Sequence, residues 1–241
     1  MSGRAEHEIN HGELLAGSDT ELIWGWGTPA GRVRAMRRAR LIGRGAGLAP
    51  NMHILEIGCG TGMFTEMFAQ TRARIIAVDI SPDLLKKAAE RKLPKDKVQF
   101  MEKRFENCDV DGPFDAIIGS SILHHLELKI ALQRIFKLLK PGGVLSFAEP
   151  NMMNPQVFVE RKFRRFFPHI SPDETAFIRW GLKRTLQQSG FTNIEIIPFD
   201  WLHPAVPQFL INSISMVGRS LEAIPFLREF SGSLYIKAIR P

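Results

Sequence analysis

Ile54-Leu55-Glu56-Ile57-Gly58-Cys59-Gly60-Thr61-Gly62, followed by Ala77-Val78-Asp79-Ile80, decides the fold of this 241-residue chain. An apolar run leads into a glycine turn, a helical stretch follows, and a second apolar run ends in a carboxylate 21 positions after Gly58. An open parallel sheet holds an adenosine group in this way. Gly58 and Gly60 allow the backbone to turn sharply and approach a ligand with no Cβ in between, and the amides opening the next helix are expected to face an anion above them. Asp79, at the tip of the second strand, is placed to accept two hydrogen bonds from a ribose diol. Glu56 narrows the ligand: an acid at the end of a first strand is a poor neighbour for a pyrophosphate and a good one for a cationic ammonium or sulfonium.

Outward from this stretch the pattern alternates. Strands are expected near 52–57, 74–79, 97–101, 114–119 and 143–148, separated by helices near 61–70, 82–91 and 127–139. Ser81-Pro82-Asp83 supplies a cap hydroxyl and a proline for the first helical position. Strands alternating with helices imply parallel pairing and right-handed crossovers, hence an α/β/α sandwich. Upstream, Thr28-Pro29 opens a helix that should run from about Ala30 to Arg44 and stop at Gly45 and Gly47. Beyond Pro150, residues 151–172 are rich in aromatic and basic groups and read as an insertion, with Ser171-Pro172-Asp173-Glu174 spaced as a capping box. A helix closing near Gln188 precedes strands at 193–198 and 233–239. Between them, Val206, Leu210, Ile214, Val217, Leu221 and Ile224 recur at spacings of three and four, one apolar stripe broadened by Phe209, Ile211 and Met216. A link of that length in a compact domain reads as functional, and a lid over a substrate is the expected role.

Leu55-Glu56-Ile57-Gly58-Cys59-Gly60-Thr61-Gly62 with Asp79 resembles motif I and the acidic loop of the class I S-adenosylmethionine-dependent methyltransferases, of the methyltransferase type 11 kind. Phe114-Asp115-Ala116-Ile117-Ile118-Gly119-Ser120-Ser121-Ile122-Leu123-His124-His125-Leu126 resembles that family's fourth strand and loop. Leu138-Leu139-Lys140-Pro141-Gly142-Gly143-Val144-Leu145-Ser146-Phe147 resembles its helix, turn and fifth strand, and Gly190-Phe191 the approach to its sixth. The resemblance implies a Rossmann-like three-layer fold with a seven-stranded, mostly parallel sheet, its last strand antiparallel, plus a helical cap or lid. It divides the chain into a helical extension, 1–50, and a methyltransferase domain, 51–241, in which the insertions 151–172 and 199–232 form the lid.

The resemblance also implies S-adenosylmethionine as cofactor, with S-adenosylhomocysteine as product. On that reading the backbone of Gly58, Cys59 and Gly60 follows the methionine and ribose, Glu56 orients the ammonium end, Asp79 holds the ribose hydroxyls, Ile80 packs on adenine, and Ser120 offers its carbonyl to the ammonium. One position departs from the family. Arg104 stands where many relatives carry an acid for the adenine amino group, and a guanidinium cannot accept that bond. Either Glu106 substitutes, or the backbone at Arg104 and Phe105 holds the adenine, or the affinity is lower than usual for the family. For proton removal the candidates are His124, His125 and Glu149, all near the carboxyl edge of the sheet; a histidine titrates near neutrality, with an unperturbed pKa of about 6.5. Trp24, Trp26, Trp201 and His203 are further candidates for the cavity wall.

Bulk properties bound the function. The formal charge is +7, yet six arginines lie between residues 28 and 47 with no acid, and Arg161, Lys162, Arg164 and Arg165 follow Glu160. Solvated helix faces are the simplest account of both segments; an anionic acceptor or an anionic lipid surface is the other. Two cysteines do not make a disulfide framework, and no metal cluster can be read from them. Met1 to Thr20 is polar, without the apolar core of a secretory signal, and no run of about 18 apolar residues spans a bilayer. A cytoplasmic enzyme is expected, acting on a small-molecule acceptor that is sugar-linked or lipid-linked, with peripheral membrane contact as a further expectation. The competing readings are an RNA methyltransferase, suggested by the mixture of cations and aromatics in Arg161-Lys162-Phe163-Arg164-Arg165-Phe166-Phe167, and a non-enzymatic cofactor-binding scaffold. Nucleic acid is not expected as a partner: no appended RNA-binding module is present, and no Asn/Asp-Pro-Pro-aromatic tetrad follows the fourth strand.

Overall fold

The computed structural model describes residues 9, 12, 13, 17–167 and 175–241; the Ser171–Glu174 capping box falls outside them. Seven strands, β1 (His53–Ile57), β2 (Arg74–Asp79), β3 (Val98–Glu102), β4 (Phe114–Ser120), β5 (Leu139–Pro150), β6 (Thr192–Phe199) and β7 (Ser233–Ile239), form one sheet in the order β3-β2-β1-β4-β5-β7-β6. β1 pairs in parallel with β2 and β4, β2 with β3 and β4 with β5, whereas β7 runs antiparallel to both β5 and β6. The sheet is thus mostly parallel with its last strand reversed. The chain moves outward from β1 to β3 and then returns to the other side of β1 for β4. Ligands of such sheets bind beyond the carboxyl ends of the strands at that switch point.

Side chains alternate between the faces of β1. Leu55 and Ile57 join a cluster with Ile117, Phe147, Leu132 and Leu186, while Ile54 joins the opposite one with Ile75, Ile118, Phe68 and Ile42. Helices Leu128–Leu138 and Arg179–Gln188 therefore cover one face, and Pro29–Ala46 and Met63–Ala69 the other. Burial of these apolar side chains, each contributing roughly 1.5–3 kcal/mol, holds the layers together and fixes the strand ends that carry the site.

Two boundaries differ from the local sequence signals. The Pro29–Ala46 helix continues through Gly45 and ends at Gly47, whose φ is 66°. A Cβ at position 45 would sit 1.6 Å from the Tyr235 hydroxyl, so this glycine serves the close approach of helix to β7 rather than the helix end. β5 begins at Leu139, not near 143, because Leu139 pairs with Phe114 and the Gly142 amide donates to the Arg240 carbonyl at 2.8 Å. Tertiary pairing on both sides draws the Pro-Gly-Gly segment into the strand.

The link between β6 and β7 carries helices Ile211–Ala223 and Pro225–Arg228. Its packing reverses the expected stripe. Val206, Leu202, Ile211 and Ile214 pack on Ala30 and Val33 of the first helix, but Leu210, Val217 and Ile224 are exposed together with Phe209 and Met216. Glu222 turns inward instead: its carboxylate accepts from both terminal nitrogens of Arg37 and from the Asp200 amide. The arginines of the first helix, expected on a solvated face, are thus partly interior. Among the described residues no helix is long and apolar enough to cross a membrane.

Candidate active site

At the switch point lies a cavity of about 720 Å³, within the usual range of small-molecule sites. Its floor is the turn after β1. Gly58, Gly60 and Gly62 all have positive φ, which side chains rarely adopt, and a Cβ on Gly58 would strike Ile122 at 2.4 Å. The turn's amides are already committed. Gly58 and Cys59 donate to the Val78 carbonyl, Gly60 to Asp79 Oδ2 at 2.8 Å, and Gly62 to the Cys59 carbonyl. The Gly58, Cys59, Gly60 and Gly62 N–H groups are therefore committed within the turn and to β2 and do not themselves form a phosphate cradle.

Asp79 stands on the rim with its oxygens held apart, Oδ2 by Gly60 and Oδ1 by the Ser81 amide at 2.9 Å. Each oxygen has a second lone pair for a ligand hydroxyl. Burial raises its pKa, outweighing the Ser81 and Gly60 amides and the nearby His125. Glu56 lies beneath the turn, 2% exposed and outside the cavity lining, and its Oε2 has no hydrogen-bond partner. Burial pushes its pKa up to about 8, against the opposing effect of the Thr65 hydroxyl. Burial likewise holds the Cys59 thiol well above its ordinary range, which removes it as a nucleophile at neutral pH.

Ile80, Arg104, Phe105 and Ser120 all line the cavity, as do His124 and His125. Arg104 is turned toward Glu106, its Nε 3.2 Å from the carboxylate, so the substitution is neutralised locally. Glu149 corrects the expectation of a base facing the cleft. It is fully buried and outside the lining; Oε1 accepts the Ile122 and Leu123 amides at 3.0 and 2.9 Å, and Oε2 lies 2.6 Å from His124 Nδ1. Burial raises the Glu149 pKa, but the His124 bond and charge and the two amides together outweigh it and leave the carboxyl below its ordinary value. Glu149 therefore holds the β4 loop and fixes the imidazole's proton on Nδ1.

The opposite wall comes from residues the sequence motifs do not identify. Arg38, 2% exposed, donates to Ser121 Oγ at 2.8 Å, Ser120 Oγ at 3.2 Å, the Ala148 carbonyl at 2.9 Å and Ser233 Oγ at 2.6 Å. Its partners are neutral and its Nε has none; burial, with Arg34 nearby, lowers its pKa to about 10. Arg34 binds Asp200 at 2.8 Å, and both guanidiniums sit over the Trp26 ring, 5.1 and 5.2 Å from its centroid. Trp24, Trp26, Trp201 and His203 also border the cavity. The only sequence signal for Arg34 and Arg38 was a run of arginines without acids.

This sheet order, with a glycine turn and a carboxylate at the tip of β2, defines a class I methyltransferase fold. A family model described as a methyltransferase domain matches residues 55–145, the segment from β1 into β5. The chain is 31% identical over 133 residues to the ubiquinone biosynthesis O-methyltransferase of Xanthomonas campestris pv. campestris, covering 53% of this chain and 56% of the relative. It is 28% identical to the O-methyltransferase cnsE of Penicillium expansum, covering 81% and 74% of the two chains. The matched region thus spans about half the length of the first of these relatives. The crystal structure of the N-methyltransferase NodS from Bradyrhizobium japonicum in complex with S-adenosyl-L-homocysteine superposes with a TM-score of 0.66 at 19% identity, over 97% of this chain and 98% of that one.

Proposed function

We propose that this chain is an S-adenosylmethionine-dependent methyltransferase that acts on a small-molecule acceptor in the cytoplasm. The observation that carries the proposal is the Asp79 carboxylate on the cavity rim, beside a glycine turn whose Gly58, Cys59, Gly60 and Gly62 amides are spent on Val78, Asp79 and Cys59. Such a floor favours a cationic nucleoside over a pyrophosphate. The residues present fit that donor: each Asp79 oxygen keeps a lone pair for a ligand hydroxyl, and a Cβ at Gly58 would fill the turn. Asp79 would hold the ribose hydroxyls, Ile80 the adenine face, the backbone at Arg104 and Phe105 its edge, and Gly58, Cys59 and Gly60 the ribose and methionine. The Ser120 carbonyl suits the ammonium, and Arg34 and Arg38 the carboxylate; Glu56, buried beneath the turn and outside the lining, does not reach the ammonium expected of it and supports the turn from below. When bound, this donor supplies a methyl group already activated on a cationic sulfur.

The chain's remaining tasks are positioning, exclusion of water and removal of the acceptor's proton. His124, its Nδ1 proton directed to Glu149, is the proposed base, with Glu149 as its positioning residue; His125, beside Asp79, is the alternative. The relatives' names, a ubiquinone biosynthesis enzyme and an O-methyltransferase, support a small organic acceptor. Incubation with methyl-labelled S-adenosylmethionine and panels of phenols, carboxylates and amines tests the reading. Label should pass to an acceptor with matching release of S-adenosylhomocysteine, and the His124→Asn variant should lose the rising limb of the pH profile. Donor binding without transfer to any acceptor class would contradict it.

A further inference from the structure

The Ile211–Ala223 helix packs Ile211 and Ile214 on the domain yet leaves apolar Met216 and Val217 on its outward side. Its one acid, Glu222, points inward to Arg37 and the Asp200 amide, and only Ile211 and Gly218 are buried. The outward side carries Met216, 61% exposed, and Val217, and is extended at its two ends by Phe209, 81% exposed, and Phe226, 71% exposed. Along the 13-residue helix, about 20 Å at 1.5 Å per residue, Met216 and Val217 share the exposed side with Asn212, Ser213, Arg219 and Ser220, and the large apolar groups stand at its two ends. Phe209 and Phe226 exposed to this extent cost free energy with no return inside the chain.

A second exposed apolar segment borders the same cavity. The Pro155–Lys162 helix and its continuation expose Phe158, Val159, Phe163 and Phe166. Lys162 lies over the Phe158 ring at 5.7 Å and Arg165 over Phe166 at 4.8 Å. Two contacts tie this segment to the lid: Asn154 Nδ2 donates to the Phe230 carbonyl at 2.8 Å, and Gln156 Nε2 lies 3.1 Å from His203 Nε2. Gln156, Val157, Glu160 and Arg161 on one side and Trp201 to Ala205 on the other line the cavity. The Pro155–Lys162 segment thus borders the mouth, and the end of the other segment adjoins it, Phe226 packing on Phe230, whose carbonyl accepts from Asn154.

The charge on these segments selects the occupant. Glu222 is the sole acid between residues 202 and 228 and is turned inward, Glu229 is buried against Arg179, and Arg219, Lys162 and Arg165 are exposed. A second copy of this chain would bring cation against cation, whereas exposed aromatics ringed by lysine and arginine match an anionic lipid surface, apolar groups entering the acyl boundary and cations meeting headgroups. We propose that the outward face of Phe209 to Phe226, with the Phe158 to Phe166 segment, docks on an anionic lipid surface and sets the cavity mouth against it. Docking itself does not depend on the catalytic reading; only the consequence, that a lipid-borne acceptor enters directly from the membrane, rests on it.

Flotation of the purified full chain with phosphatidylcholine vesicles, with and without phosphatidylglycerol, tests this at low and high salt. Calorimetry with S-adenosylhomocysteine is run on the same samples. Binding should require phosphatidylglycerol and weaken with salt. It should fall about tenfold in Phe209→Ser/Phe226→Ser, which removes the apolar anchors, and in Lys162→Ser/Arg165→Ser/Arg219→Ser, which removes the cations, with ligand heat unchanged in both. Absence of flotation overturns the proposal, as does flotation indifferent to phosphatidylglycerol or to both variants. Self-association in sedimentation velocity that Phe209→Ser/Phe226→Ser abolishes, without vesicle binding, overturns it in favour of a second copy. Vesicle binding with no ligand heat supports the docking surface and contradicts the catalytic reading.

Discussion

The cavity has two walls built in opposite ways. The glycine-turn wall comes from one continuous stretch, residues 54 to 81, whose contacts close within it: Gly60 to Asp79, Ser81 to Asp79, Gly58 to Val78. The lid wall joins residues far apart in sequence, Arg34 to Asp200 and Arg37 to Glu222, through charges of opposite sign partly withdrawn from water. The first wall is rigid because its backbone geometry is nearly fixed by glycine and by capping. The second depends on paired charges, each of which becomes costly if its partner leaves. The difference lies in how each wall is assembled: the glycine-turn wall is a local motif, and the other a tertiary agreement between two ends of the chain.

The largest expected effect lies in the glycine wall. Gly58→Ala must place a side chain at a φ of 65° and into Ile122, so a loss of about 2–4 kcal/mol in urea unfolding is expected, together with loss of S-adenosylhomocysteine heat. Unchanged stability would break the claim that this wall is rigid by backbone geometry. Next comes Glu56. Its folded pKa of about 8 lies above the ordinary value of 4.5, so the folded protein retains a proton that the unfolded chain releases across that window. Stability should accordingly fall as pH rises between those values, by up to about 1.4 kcal/mol per pH unit for one proton, and Glu56→Gln should flatten the slope. A wild-type slope unaltered by that substitution would place the titrating group elsewhere.

The lid wall should respond more weakly and without touching the donor. A double-mutant cycle on Arg37→Ala and Glu222→Ala is expected to give a coupling of about 1–2 kcal/mol, with the S-adenosylhomocysteine dissociation constant unchanged within about twofold. A coupling near zero would mean the lid is held by apolar contact alone. Thr28 is the smallest case: its hydroxyl caps the first helix at Gly31 and donates to the Pro204 carbonyl at 2.7 Å. Thr28→Ala should cost about 1 kcal/mol, and greater proteolytic access to the lid would sharpen the link between helix and cap.

The same contrast explains what could be read from the sequence. The alternating strands and helices and the place of Asp79 follow from a glycine turn, periodicity and a helix cap, all signals carried within a few residues, whereas the seven strands with the last reversed rested on the family resemblance. Arg34 and Arg38 escaped because the partners that bury them lie 166 and up to 195 positions away, and a run of arginines looks the same whether solvated or interior. Glu149 was misplaced for a related reason. A glutamate at a strand end suggests a cleft, yet its position is set by the Ile122 and Leu123 amides and by His124 from a neighbouring strand's loop. Between β6 and β7, periodicity grouped residues that the structure divides, because the helix starts only at Ile211: Val206 and Ile214 pack inward while Leu210, Val217 and Ile224 face water, and Glu222 pairing with Arg37 fixes the helix's orientation.

The central claim is that the cavity floor, with its carboxylate rim and spent amides, binds a sulfonium nucleoside. Titration calorimetry of the folded protein with S-adenosylmethionine and S-adenosylhomocysteine, beside NAD and beside the Asp79→Ala variant, tests it most directly. Saturable one-site heat with both adenosyl compounds, none with NAD, and its loss in a variant that remains folded is the predicted result. A folded wild-type protein that shows no heat with either compound would contradict the account.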